Sequence, residues 1–269
     1  MSAFTRPSPN ETPLFADDFT DSVLNPAYWN VEITGNTYNR EVQAYIHSTD
    51  TLYTTQTEPD AQGALALHAR WRPGYRSPQG EPFDFVSARI NTAGKVSFRY
   101  GRVSARLKMP SGAGLWPAFW AIGKDGEWPA GGELDIMETV GEADWLGVAV
   151  HGPHYFGDAT PFVNKKYFPP PHSIAEWHIC TLECRPESLL FFVDDELAFR
   201  VTRAMVNFYG QWVFDNEKYL ILNLALGGVY PFKTNGIHQP YFGLPAQTVQ
   251  RIQDNQARLL VDWVRITPL

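Results

Sequence analysis

The stretch that decides the fold and the chemistry is residues 131–139, Gly-Gly-Glu-Leu-Asp-Ile-Met-Glu-Thr. Read as a β-strand, it places Glu133 and Asp135 on one face and Leu134 and Ile136 on the other, because side chains alternate along a strand. Strict alternation would turn Glu138 into the core, where an unpaired carboxylate costs on the order of several kcal/mol. One extra residue near Met137, a β-bulge, would return Glu138 to the acidic face.

Three carboxyl groups in line on one face repel one another, so stability alone does not explain this pattern. Like charges this close drive pKa values apart, so that one acid is protonated while another is ionised near neutral pH. Retaining glycoside hydrolysis needs such a pair, a nucleophile and a protonated acid/base about 5–5.5 Å apart. An exposed acidic strand face and a calcium site are the alternatives that the acids alone leave open.

Tryptophans surround the acidic strand in the sequence. Trp116 and Trp120 are four residues apart in residues 114–123, and Trp128 lies just before the acids. If residues 114–123 form a strand, the first two indoles share a face. Flat indoles beside carboxylates suit a glycan cleft, because sugars present apolar C–H faces together with hydroxyl groups. A place in the hydrophobic core is the alternative for each tryptophan taken alone.

The rest of the chain has the pattern of a β-sandwich. Alternating runs lie at residues 64–70, 102–108 and 259–268, a hairpin with an acidic turn at 189–200, and an apolar strand, buried on both sides, at 219–226. The 21 Gly and 21 Pro residues separate these runs. Only residues 173–177 and 203–209 are expected to form a helical turn or two. We therefore predict one all-β domain over residues 1–269, an antiparallel two-sheet sandwich.

Composition excludes several classes of protein. The 269 residues carry 22 basic and 29 acidic side chains with no basic run, so nucleic acid is not an expected partner. No run approaches the ~18 apolar residues of a membrane span, and residues 1–15 show no apolar run of a signal peptide. Cys180 and Cys184, four apart in a strand-like run, would lie too far apart for a disulfide, so both are expected to be free.

Residues 133–138 resemble the catalytic signature of glycoside hydrolase family 16, in the bulged form of its laminarinase-like members. Further segments resemble that family in the same order, at residues 15–19, 29–30, 39–45, 87–91, 100–106, 177–178, 219–228 and 261–265. The resemblance extends along nearly the whole chain. It implies a jelly-roll sandwich of the concanavalin-like type, with a concave cleft open to a polymer.

The resemblance also implies roles for individual residues. Glu133 would be the nucleophile, Glu138 the general acid/base, and Asp135 a hydrogen-bond partner of the nucleophile, with His151 on the neighbouring strand near the acid/base. The implied substrate-binding residues are Asn39, Arg89, Trp116, Trp120, Trp128, His151 and Asn223. Asp262 occupies the position of a structural calcium ligand in many relatives, and no cofactor is expected for catalysis.

These features predict a monomeric, retaining endo-β-1,3-glucanase that acts on laminarin-type β-glucans, with no membrane partner. A relative acting on mixed-linkage glucan, agar or carrageenan, or a transglycosylase, is an alternative, because the same covalent intermediate serves all of them. A non-catalytic, lectin-like glycan-binding sandwich is a further alternative. A polymeric substrate implies work outside the cell.

Overall fold

A computed structural model describes residues 12–56 and 63–269. Within these ranges the chain forms eighteen β-strands, three α-helices and one 3-10 turn. The expectation for residues 1–15, that they hold no signal peptide, falls mostly on residues outside those described. No helix in the described part of the chain is long and apolar enough to cross a membrane.

The larger sheet is antiparallel and is built around the C-terminal strand. It contains β1 (Phe15–Asp17), β4 (Leu52–Thr55), β5 (Ala64–His68), β9 (Gly101–Lys108), β14 (Trp177–Arg185), β15 (Ser188–Val193), β16 (Glu196–Thr202) and β18 (Arg258–Thr267). Their order is β16-β15-β14-β9-β18-β5-β4, with β1 also against β18. The predicted hairpin is β15–β16, and its turn residues Asp194 and Asp195 have φ of 52° and 65°, as a tight hairpin turn requires.

The second large sheet carries the acidic strand. It contains β2 (Asn30–Val31), β8 (Arg89–Asn91), β10 (Leu115–Gly123), β11 (Glu133–Glu138), β12 (Trp145–His151), β13 (Val163–Tyr167) and β17 (Lys218–Leu226). Their order is β13-β12-β11-β10-β17-β8-β2, and every pair is antiparallel. The apolar strand β17 lies between β10 and β8 and is buried along most of its length, as its sequence predicts.

A third, small sheet departs from the prediction of two antiparallel sheets. It contains β3 (Gln43–Tyr45), β6 (Arg70–Arg76) and β7 (Pro82–Ser87), and β3 runs parallel to β7. The helices are α1 (Arg203–Tyr209), α2 (Val229–Asn235) and α3 (Ala246–Gln253). The prediction for residues 203–209 is confirmed by α1. Residues 173–177 contain one turn, closed by the backbone N–H of Glu176 donating to the carbonyl oxygen of Ser173 at 3.1 Å, and β14 begins at Trp177.

The two large sheets pack face to face as the predicted sandwich. Apolar side chains from both sheets form one cluster, to which β11 contributes Leu134, Ile136 and Met137. Cys180 and Cys184 on β14 are buried in the same cluster and are free, as predicted. Burial raises the pKa of both thiols, which keeps them protonated and unreactive.

Candidate active site

The predicted bulge is present in β11. Against β10, the register shifts between Asp135 and Met137, so Ile136 is the extra residue. The shift leaves both Ile136 and Met137 in the core. It turns Glu138 to the opposite side of the sheet, where it is half-buried. Glu133, Asp135 and Glu138 therefore share the face of the seven-stranded sheet that points away from the core. We call this surface the site face.

The loop before β17 fixes the start of the acidic strand. Asn216 donates from Nδ2 to the carbonyl oxygen of Gly131 at 2.7 Å. Gly132 has φ of +77°, and a Cβ at this position would lie 2.8 Å from the ring of Phe214. Only glycine fits such a backbone and such a contact. The two glycines thus set the position from which Glu133 extends.

Two indole N–H groups hold the two glutamates. Trp116 donates from Nε1 to Oε2 of Glu138 at 3.1 Å, and Trp128 donates from Nε1 to Oε2 of Glu133. Trp128 is 49% exposed, and its ring packs edge-on against Phe156 with centroids 5.3 Å apart. Both tryptophans lie at the acids, as their positions in the sequence predict, but their polar atoms orient the carboxyl groups.

Asp135 lies between the glutamates on β11 and is 5% exposed. Nε2 of His151 lies 3.2 Å from its Oδ2. Across the strands His151 pairs with Glu133, and it also lies close enough to the predicted acid/base, Glu138, to interact with it electrostatically. Strands β11 and β12 are antiparallel, so the last residue of β12 meets the first residue of β11.

Burial raises the pKa of all three carboxyl groups. The pKa of Glu133 rises to about 8 and that of Glu138 to about 8, first by desolvation and then by the charge of Asp135. Desolvation also raises the pKa of Asp135 to about 7, against a hydrogen bond with Glu133 that lowers it. The three groups therefore share protons near neutral pH, so the site contains protonated and ionised acids side by side.

A second group of predicted residues lies beside the acids, on β10, β17 and β8. Trp120 donates from Nε1 to Oδ1 of Asn223 at 2.8 Å, and Asn223 donates from Nδ2 to the Tyr45 hydroxyl at 3.3 Å. The guanidinium carbon of Arg89 lies 5.1 Å from the Trp120 ring centroid, and its Nε lies 2.8 Å from Oε2 of Glu32. The structure thus brings Arg89, Trp120 and Asn223 together, and it adds Tyr45.

Asn39 lies in an exposed loop next to α2. Its carbonyl oxygen accepts from the backbone N–H of Val229, the first residue of α2, and its own backbone N–H donates to the Glu41 carboxylate at 2.9 Å. The next residue of α2, Tyr230, packs edge-on against Trp116 with centroids 5.5 Å apart. Burial and the charges of the site acids raise the pKa of Tyr230. Sequence reasoning missed this tyrosine, although it lies two residues after the two glycines that end a predicted strand.

Asp262 lies on β18, in the other large sheet. Its Oδ2 accepts from Nη1 of Arg106 at 2.7 Å. Among the described residues, the one group of three side chains with metal-ligating atoms within 4.8 Å of one another is Glu133, Asp135 and His151. Calcium takes six to eight oxygen ligands. The side chains at Asp262 therefore do not fit a calcium ion by themselves, and the expected structural calcium stays a prediction.

The raised pKa values predict a pH-dependent cost to folding. Glu138 has an ordinary pKa of 4.5 and a folded value of about 8, so its contribution to stability is full below pH 4.5 and is lost as the pH rises to 8. Glu138→Gln cannot ionise. We expect it to match the wild type in thermal unfolding at pH 4 and to exceed it at pH 9 by about 1–3 kcal/mol.

The control for this measurement is Glu187→Gln. Glu187 is exposed in the turn between β14 and β15 and pairs with Arg203. The free energy of unfolding of Glu187→Gln, relative to the wild type, should not rise between pH 4 and pH 9 as that of Glu138→Gln does. Equal melting temperatures for Glu138→Gln and the wild type at pH 9 would contradict the raised pKa.

Comparison with known proteins places the chain among carbohydrate-active enzymes. The model of Glycosyl hydrolases family 16 matches residues 32–228. The β-glucanase of Rhodothermus marinus is 30% identical over 265 residues, which cover 94% of this chain and 84% of that protein. The solved endo-β-1,3-glucanase of Pyrococcus furiosus has the same sandwich fold, with a TM-score of 0.81, 30% identity, and coverage of 96% of this chain and 94% of that one.

A further relative is much longer than this chain. The glucan endo-1,3-β-glucosidase A1 of Niallia circulans is 29% identical over 283 residues, which cover 94% of this chain but only 37% of that protein. The chain thus corresponds to about a third of the Niallia protein.

Proposed function

The chain belongs to glycosyl hydrolase family 16 and is a glycoside hydrolase, and we propose that it cleaves β-1,3-glucan chains internally with retention of configuration. The observation that carries this proposal is the bulge in β11, which puts Glu133, Asp135 and Glu138 on one face with raised pKa values. The choice of β-1,3-glucan is supported by the names of the relatives from Pyrococcus furiosus and Niallia circulans.

In the first step, the carboxylate of Glu133 attacks the anomeric carbon of the glucan. The bond from that carbon to the glycosidic oxygen breaks, and the leaving oxygen takes the proton of Glu138. The raised pKa of Glu138 keeps this proton available near neutral pH. The products of the step are a shortened glucan with a free hydroxyl group and a covalent ester between Glu133 and the remaining sugar.

In the second step, Glu138 is ionised and acts as the base. It removes a proton from a water molecule, whose oxygen attacks the same anomeric carbon from the side that the leaving group vacated. The ester bond to Glu133 breaks, and its carboxylate is restored. Two inversions at one carbon give net retention of configuration.

Asp135 and His151 control the proton on Glu133. Protonated Glu133 donates a hydrogen bond to Asp135, which raises the pKa of the glutamate. The nucleophile must lose this proton before it attacks. His151, with Nε2 3.2 Å from Oδ2 of Asp135, lies where it can stabilise the aspartate as charge shifts within the pair. Asp135 thus favours the proton on Glu133, whereas a protonated His151 lowers the pKa of Glu133, so we assign His151 the role of favouring the ionised nucleophile.

The substrate assignment is tested by measuring reducing sugar released from laminarin, lichenan and agarose in parallel. We expect the highest rate on laminarin, with fragments of intermediate length appearing early because the cut is internal. Activity on agarose without activity on laminarin would reject the β-1,3-glucan assignment. Products longer than the starting oligosaccharide would identify a transglycosylase, since a sugar then replaces water as the acceptor.

A further inference from the structure

The edge strand β13 presents an unusual set of exposed side chains on the site face. These are Val163, Lys165 and Tyr167, which pair with Ala149, Gly147 and Trp145 on the site face of β12. Val163 is 54% exposed, Tyr167 is 59% exposed, and Lys165 is exposed too. Apolar and aromatic groups so exposed beside a catalytic centre are the groups that ligand contact would cover.

Lys165 lies in line with the proposed acid/base. Across the strands it pairs with Gly147, and Gly147 pairs with Glu138. Two strand spacings, roughly 9–10 Å, separate the outer residues. Gly147 places no side chain between them, although an added Cβ would make only ordinary contacts, the nearest at 3.5 Å with Trp145. The indole of Trp145 therefore lies against the backbone between Lys165 and Glu138, and Gly147 is buried beside it.

The ammonium group of Lys165 is held in place but has no polar partner. Its Nζ lies 3.5 Å from the ring centroid of Trp145, which is 4% exposed. A cation over an indole face is a favourable and directional contact. The structure gives it no hydrogen bond or ion pair with any described residue, whereas its neighbour Lys166 pairs with Glu196 on the other side of the strand. Its N–H donors are thus available to a ligand.

The two sides of β11 differ in their contacts. The side of β10, β17 and β8 holds Trp120, Arg89 and Asn223 in one hydrogen-bonded and stacked group. Fixed contacts of that kind suit the sugar that stays attached to Glu133 until water arrives. The opposite side presents the exposed side chains of β13, which suit a sugar that arrives and leaves.

We propose that Tyr167 and Lys165, which is held over the buried indole of Trp145, form a subsite for the leaving part of the glucan. In this subsite Lys165 donates hydrogen bonds to sugar hydroxyl groups, and the exposed ring of Tyr167 covers an apolar sugar face. The subsite would favour long substrates over short ones and would hold a sugar acceptor in the reverse direction. This inference rests on the proposed β-1,3-glucanase function.

The test compares two substrates of the purified protein. Laminaripentaose extends over both sides of β11, whereas p-nitrophenyl β-laminaribioside has only an aryl group on the leaving side. We expect Lys165→Ala to lower the ratio of kcat/KM for the pentaose to kcat/KM for the aryl substrate by about tenfold, the loss of one hydrogen bond from a charged donor. Tyr167→Ala should lower the same ratio independently.

The matched control is Lys166→Ala, which removes a lysine from the opposite side of the same strand and should leave the ratio within about twofold of the wild type. An unchanged ratio in both Lys165→Ala and Tyr167→Ala, with circular dichroism showing folded protein, overturns the subsite. An equal loss on both substrates overturns it as well. A wild type that cleaves neither substrate would instead reject the proposed function.

Discussion

Glu133→Gln is expected to lose hydrolysis of laminarin by on the order of 10⁴-fold while still binding the glucan. The amide cannot form the ester with the anomeric carbon, but it has nearly the same shape and keeps an oxygen that accepts from the Trp128 indole N–H. Release of reducing sugar measures the loss, and retardation of the protein in laminarin-containing native gels measures binding. This loss would also exclude a purely glycan-binding role, because Glu133→Gln would then change no hydrolytic activity.

Replacing Glu133 with the smaller alanine tests whether Glu133 forms the bond to the anomeric carbon. In Glu133→Ala, azide can enter the vacated space and attack an activated aryl β-glycoside directly, which gives one inversion and an α-glycosyl azide. Glu187→Gln, in the turn between β14 and β15, is the control and should retain wild-type turnover. Turnover close to the wild type in Glu133→Gln, or a β-azide from Glu133→Ala, would contradict the assignment of the nucleophile.

The position of the bulge could be predicted because strand alternation and the residue that conflicts with it, Glu138, lie within the same six residues. Alternation sends Glu138 into the core, and burial of an unpaired carboxylate is costly enough to favour any backbone change that avoids it. The observed extra residue is Ile136, one position from the expected Met137. Both side chains are apolar and buried, so the sequence pattern does not distinguish between them.

The partners of the site side chains could not be predicted from local patterns. Trp120 and Asn223 are 103 residues apart, and their hydrogen bond depends on β10 pairing with β17 in one particular register. The interpretation of the tryptophans as sugar contacts considered only their rings. Their N–H groups bind the site residues, and this depends on strand order, which a single sequence does not show.

The same limit explains the residues that sequence reasoning missed. Tyr230 reaches the site through α2, a helix of seven residues that is too short for a periodic pattern. Lys165 follows Val163 in an edge strand with mostly exposed residues, and nothing nearby in the sequence relates it to Glu138. The parallel pairing of β3 with β7 joins segments about 40 residues apart, so no hairpin pattern in the sequence predicts it.

Glu138→Gln is expected to lose hydrolysis of laminarin by about 10³-fold, because general acid and base catalysis contributes 10²–10⁴-fold to such steps. The loss should be smaller on p-nitrophenyl β-laminaribioside in the first step, since nitrophenolate leaves without a proton. The second step still lacks its base, so the covalent intermediate should accumulate. Mass spectrometry of the intact protein would detect it as an added disaccharide.

Azide separates this role from that of Glu133. It needs no deprotonation, so it should accelerate turnover of the aryl substrate by Glu138→Gln at least about tenfold and give a β-glycosyl azide after two inversions. The alkaline decline of the wild-type rate near the Glu138 pKa of about 8 should be absent from the azide reaction. Opposite anomers from the Glu133 and Glu138 variants fix the two roles on the two ends of β11. An α-glycosyl azide from Glu138→Gln would instead make Glu138 the nucleophile and Glu133 the acid/base. The indole of Trp116 would then be orienting the nucleophile.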